Sequence, residues 1–391
     1  MKTRYEMLIL ATLMVSAFSY VFVCNWYDTD YKDRKHEQPA RSRAVISGSY
    51  DPELLTHRLI NFDRQAGIAS EKNANLAYGN TQDWLSDVKK HCDKALSNKD
   101  FLACANRLLG RHFYYSSVQA VSDGWAGHYS DCDLNAYLLI DAMHAAGREA
   151  EIVYAPHHAF ISYRDEKTHE PLYWETTSDY NAGQTADLRL DFYRKTPSRF
   201  YYTPESAAYA ENIYPALVID KIPSEERRKA LLKSLRQQFP DNPAVQDAWY
   251  EQKSVITRDD ALSLISELKT DITSVSKRIL LIRYFSNHLE EEKAQQLLNE
   301  ISDEDCNDAC LKLKSQHSVI YRLAGWSLER LDALNIRLSL SVFFSSIRDS
   351  LKLCGIILLA YVTGKLFQKY PIRIGKKDNR LPPQPQDTPA G

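Results

Sequence analysis

Eighteen consecutive residues, Met7 to Cys24, carry no charge. That length is about the minimum for a helix that crosses the hydrocarbon of a bilayer, where only backbone that satisfies its own hydrogen bonds is tolerated. Lys2 and Arg4 precede the run, and Trp26 and Tyr27 follow it as an interfacial pair. No small-x-small cleavage site closes it, so a retained anchor is expected rather than a cleaved signal peptide. A second apolar run, Cys354 to Gly364, is flanked by Lys352 and Lys365, and Leu351 to Phe367 is counted as its span. Beyond it come Lys369, Arg373, Lys376, Lys377 and Arg380 and then a proline-rich tail expected to be disordered. Basic residues at both ends place both ends in the cytoplasm, and residues from about 28 to 345 outside it.

The cysteines agree with an oxidising space. Cys24 and Cys354 belong to the apolar runs. Cys92 and Cys104 lie in a segment, Thr81 to His112, that reads as a helical hairpin, and Cys306 and Cys310 stand four apart. Each pair is a candidate disulfide, and Cys132 is left over as a thiol to examine for reactivity. With 49 Lys plus Arg against 51 Asp plus Glu, the net charge of −2 gives no basic excess for a nucleic-acid partner.

Gly124-Trp-Ala-Gly-His-Tyr-Ser-Asp-Cys132 is a glycine-punctuated loop running into an apolar helix with Leu134, Tyr137, Leu138, Met143 and Ala145 on one face. Ser130 or Asp131 is its N-cap and Gly147 its stop. Cys132 then falls in the first helical turn, where the dipole and free amides favour a thiolate and can hold an oxyanion. Glu151 to Ala155 reads as a strand broken by Pro156, His158 to Tyr163 as a second strand, and Leu172 to Thr177 as a third. Antiparallel pairing brings His158 near Glu175. A nucleophile, a base and a group that orients the base are the parts of covalent catalysis. His157 is the alternative base, but alternation turns it to the opposite face. Trp125, His128 and Tyr129 are weaker candidates for the groove or the oxyanion. A zinc site from Cys132, His128, His157 and His158 matches no common ligand spacing.

Ser-Asp-Cys132-Asp-Leu-Asn, Ala-Ala-Gly147 followed by a strand, His158-Ala-Phe-Ile and Tyr-Trp-Glu175-Thr-Thr together resemble the transglutaminase-like superfamily of papain-like cysteine enzymes. The resemblance spans roughly Phe101 to Thr177. It implies Cys132 as nucleophile, His158 as base and Glu175 as orienter, with Glu where the family more often has Asp. It also implies an acyl-thioester formed from a protein or peptide and resolved by water, as in a peptidase or amidase, or by an amine, as in an acyltransferase, with hydrolysis expected and without metal or cofactor. The rival expectation is an inactive scaffold of the same fold in a membrane assembly.

Downstream, Glu225–Phe239, Ala244–Ile256, Arg258–Thr270, Val275–Leu289 and Glu291–Ile301 read as short-linked helices. Gln-Phe-Pro-Asp-Asn-Pro-Ala resembles a junction between tetratricopeptide repeats, implying either a surface for a protein partner or a spacer. The expected fold class is an α+β papain- or transglutaminase-like domain followed by an α-helical array, with N-terminal and C-terminal transmembrane helices. The boundaries expected are 1–27 anchor, 28–80 linker and helical lead-in, 81–203 catalytic domain, 204–336 helical domain, 337–370 membrane segment and 371–391 tail. The expected setting is the bacterial inner membrane, with the catalytic domain periplasmic.

Overall fold

The computed structural model describes residues 2–28, 46–118, 120–177, 181–191, 193–334 and 336–369. The basic, proline-rich tail beyond Lys369 lies outside these. The chain divides into two compact units, one made of residues 1–27 with 341–391, the other of 28–340.

In the first unit, Lys2–Trp26 and Leu340–Lys369 are helices, each long and apolar enough to cross a membrane. They pack antiparallel. Lys365 pairs with Glu6 at 2.6 Å at one end, Cys354 Sγ donates to the Met14 carbonyl midway, and Asn25 Nδ2 donates to Ser346 Oγ at 2.8 Å at the other end. The second helix starts at Leu340, well ahead of the Leu351 read from the charge-free run, because Ser345, Ser346 and Asp349 are compatible with helix even though they dilute the hydropathy.

The second unit is mostly helical around a small sheet. Strands β1 (Tyr114–Tyr115) and β2 (Tyr129–Ser130) pair in parallel. The main sheet is antiparallel, in the order β6 (Gln184–Thr185), β5 (Pro171–Glu175), β4 (His158–Arg164), β3 (Glu151–Ala155), β7 (Pro204–Glu205). β3 and β4 form a hairpin that pairs Ala155 with His158 across a two-residue turn. Pro156 presets that turn and His157 completes it at φ 59°. The Cys132–Ala145 helix packs across β4 and β3. It is buried continuously from Leu134 to Met143, so the single apolar face read from sequence is too narrow.

One core runs from Leu55 to Val218. The helices Leu55–Ala66 and Glu71–His91 belong to it, so the helical lead-in expected within 28–80 is part of this body, and the boundary at 81 falls inside a helix. Two helices that lack local caps are capped from far along the chain. Asp141 accepts from Leu55 N at 2.8 Å, Thr56 N at 2.9 Å and Thr56 Oγ1 at 2.6 Å, and Asp63 accepts from Ser122 N, Ser122 Oγ and Tyr214. The segment after β5 contributes the edge strand β6 and returns Tyr193 to the sheet.

The helical array comprises Glu225–Gln238, Pro243–Glu251, Arg258–Leu268, Val275–Asn287, Glu291–Asn299, Asp308–His317 and Val319–Ala333. Asn242 caps Val245 N at 3.1 Å and Pro243 takes the first helical position, so the Pro-Asp-Asn-Pro stretch acts as a stop followed by a start. Successive helices pack on one another over a second core centred on Tyr250, Leu264, Leu281 and Cys310. Both candidate disulfides are present, Cys92–Cys104 and Cys306–Cys310, and Cys132 is free.

Candidate active site

Asp131 is the N-cap of the Cys132–Ala145 helix. One of its oxygens accepts from Leu134 N and the other from Val118 N at 3.0 Å. Cys132 is therefore the first helical residue, as the Ser-Asp-Cys motif implies, and it remains partly exposed. Ala146 closes the helix and Gly147 follows at φ 74°.

His158 and Glu175 meet. Nε2 of His158 lies 2.6 Å from Glu175 Oε2. The two come together because β4 and β5 pair with Ile161 opposite Trp174, which puts Glu175 on the face of His158 and one step along the diagonal. Both glutamate oxygens are engaged. Tyr193 donates to Oε2 at 3.1 Å, while Thr177 donates to Oε1 through its amide at 3.1 Å and its hydroxyl at 2.9 Å. Burial opposes ionisation of Glu175, yet the hydrogen bonds from His158 and Thr177 outweigh it and hold the carboxyl below its ordinary value.

Cys132 and His158 line one cavity of about 540 Å³, closed on its far side by residues of the helical array. The helix terminus does not deliver the thiolate expected of it. Burial pushes the Cys132 thiol well up, the charges of Asp133 and Asp131 add to the shift, and the Ala159 amide only partly offsets them. The thiol donates to Asp133 Oδ1 at 3.4 Å. Asp131 is itself pushed up to about 7 by burial and by Asp133, despite its two amide partners.

A buried polar network joins the Cys132 helix to the Glu175 strand, and sequence reasoning missed it. Asn135, one turn after Cys132, donates to Asn181 Oδ1 at 2.9 Å. Asn106 donates to the carbonyls of Thr176 and Asn181 and accepts from Trp174 Nε1 at 2.8 Å. Thr176 and Trp174 flank Glu175, so these amides set how far Cys132 stands from the end of β5. Gly183, at φ 74°, passes so close that a Cβ there would lie 2.3 Å from Asn106 Oδ1. The available signal was an asparagine inside an otherwise apolar helix. Tyr193 was missed as well, because a tyrosine in an aromatic loop carries no positional signature.

Three of the weaker candidates fall elsewhere. Trp125 is fully buried in the core, and His128 Nδ1 lies 3.0 Å from the His112 carbonyl. Tyr129 pairs with Tyr114 in the two-stranded sheet. His157 lines the same cavity as Cys132, from the hairpin turn, with Nε2 3.4 Å from the Thr273 carbonyl, while Glu175 bonds His158. Among the described residues no group of three His, Cys, Asp or Glu side chains has metal-binding geometry. No protein-family model matches this chain, and no curated protein matches it.

Proposed function

We propose that this chain is a membrane-anchored thiol hydrolase, a peptidase or amidase of the transglutaminase-like kind, with Cys132 as nucleophile, His158 as general base and Glu175 as its orienter. The observation that carries this reading is the 2.6 Å bond between His158 and a fully engaged Glu175, at the wall of the cavity that Cys132 also lines. Helix, strand and next strand supply the three groups in the order the resemblance implies.

With Nε2 of His158 bonded to Glu175, base duty falls to Nδ1. Because the resting thiol is held protonated, its proton passes to His158 as sulfur attacks the carbonyl carbon, rather than beforehand. The carbonyl π electrons move to oxygen, and amide N–H groups at the start of the Cys132 helix can donate hydrogen bonds to that oxyanion. Collapse breaks the C–N bond, imidazolium returns the proton to the leaving amine, and water then cleaves the thioester to the acid. Glu175 keeps the ring in one tautomer and stabilises its cation.

Membrane attachment follows from the two apolar helices. Their antiparallel packing, with Glu6 against Lys365, suits both helix ends that carry the chain termini on one side, the cytoplasmic side of a bacterial inner membrane on this reading. The helical array is read as tetratricopeptide-like.

The bond from Cys132 to Asp133 favours a second reading, an inactive scaffold that recruits a partner through the array. Labelling the full chain in proteoliposomes with a thiol-directed electrophile, followed by peptide mapping, separates the two. Catalysis predicts an adduct at Cys132 that is lost in Cys132→Ala and in His158→Ala. An unreactive Cys132, with label only at Cys24 or Cys354, overturns it.

A further inference from the structure

The cavity in front of Cys132 is not made by the catalytic core alone. Its near wall carries Asp131, Cys132, Asp133 and His158, and its far wall comes from the array, with Asp247 on the Pro243–Glu251 helix, Asp271 in the turn before Ser274, and Asp305 before the Asp308–His317 helix. Five aspartates face the space, no lysine or arginine is among the described residues that line it, and its basic groups are the imidazoles of His157 and His158.

Two cations sit behind this wall. Lys277 is fully buried, with Nζ 2.5 Å from Asp247 and 3.0 Å from Asp271, and Arg194 pairs with Asp305. Two cations do not balance five carboxylates. Burial and mutual repulsion raise the pKa of the acids the cations leave least compensated, and Asp247 reaches about 6 even beside Lys277. Aromatic rings complete the pocket, with Tyr154 and Phe200 stacked at 5.3 Å and Tyr201 donating to Asp271. Carboxylates with aromatic faces are the surroundings that hold an ammonium or guanidinium group.

We propose that the acyl substrate of this site carries a positive charge, a primary amine or guanidine beside the scissile carbonyl, and that Asp247 and Asp271 of the helical array receive it. This inference rests on the thiol-hydrolase reading and names its substrate class. On this view the array is the specificity wall of the active site, and a cation entering the groove supplies the charge that the five aspartates lack.

The test uses the full chain in nanodiscs with Cys132→Ala, so that binding is read without turnover. Three blocked tetrapeptides differ at one position only, lysine, norleucine or glutamate. The lysine peptide is expected to bind about tenfold more tightly than the norleucine peptide and the glutamate peptide most weakly, with the lysine advantage shrinking as salt is raised. Asp247→Asn, which leaves Lys277 its partner Asp271, should reduce the lysine-to-norleucine ratio several-fold. Equal binding of the three, preference for glutamate, or no binding of any overturns the proposal. The two readings fail separately. Lysine-selective binding with an inert Cys132 in the unsubstituted chain leaves the cation site and removes the hydrolase, whereas equal cleavage of all three peptides leaves the hydrolase and removes the cation preference.

Discussion

At the scale of single residues, the balance between Asp133 and His158 decides what Cys132 can do. The thiol lies above its ordinary range, so its alkylation by iodoacetamide should be slower than that of a free cysteine at pH 7 and should keep rising with pH beyond the usual thiol inflection. Asp133→Asn removes the nearest negative charge, lowers that inflection and should speed alkylation at pH 7. An unchanged profile would show that burial alone sets the thiol. Glu175 acts one step further back. Glu175→Gln cannot hold the imidazolium, and turnover should fall by about 10²-fold, within the range of a general-base contribution. Tyr193→Phe removes one of the four hydrogen bonds on Glu175, worth about 1 kcal/mol. It should therefore lower kcat several-fold with KM nearly unchanged.

At the scale of elements, two helices of the main core, which start at Leu55 and Val121, are held at their N-termini by distant carboxylates. Asp141→Ala would leave Leu55 N, Thr56 N and Thr56 Oγ1 without an acceptor and should cost about 2–4 kcal/mol. Burial raises Asp141 to about 6, above the unfolded carboxyl range near 4. The folded state therefore binds this proton more tightly, and the associated stability is full below about pH 4 and lost as pH rises through about 6. Against Asp141→Asn, the wild type should be favoured more at pH 5 than at pH 7.5, which denaturant titration at the two pH values checks. Asp63, also raised to about 6 by burial, should contribute with the same sign.

For the molecule as a whole, the disulfides and the interlocked cores matter most. Cys92–Cys104 closes a short loop between two helices of the main core, and loop-closure entropy for about 13 residues corresponds to about 3 kcal/mol. Cys92→Ser with Cys104→Ser should lower the melting temperature of the detergent-solubilised chain, and dithiothreitol should lower the wild type's but not the variant's by that share. Within the array, Lys277, fully buried between Asp247 and Asp271, would leave two carboxylates uncompensated if replaced by alanine, a change expected to cost about 3–5 kcal/mol.

What the sequence determined by itself was whatever depends on neighbours along the chain. The charge-free runs, an N-cap at Ser130 or Asp131, the Pro156 break, the strand alternation around His158 and the helix starts from Glu225 to Glu291 are local, because propensity, capping and periodicity act over a few residues, whereas the helices end up to five residues before the expected positions. The pairing of His158 with Glu175 was legible too, since it needs only a hairpin and its diagonal. Only the tertiary structure decided the rest. Asp141 capping a helix 85 residues earlier, the Asn106–Asn135–Asn181 network, Tyr193 on Glu175, and the aspartates of the array facing Cys132 are juxtapositions of distant segments. The same crowding raised the thiol that the helix terminus alone would have lowered, because desolvation and neighbouring charge outweigh a dipole that acts over a single turn.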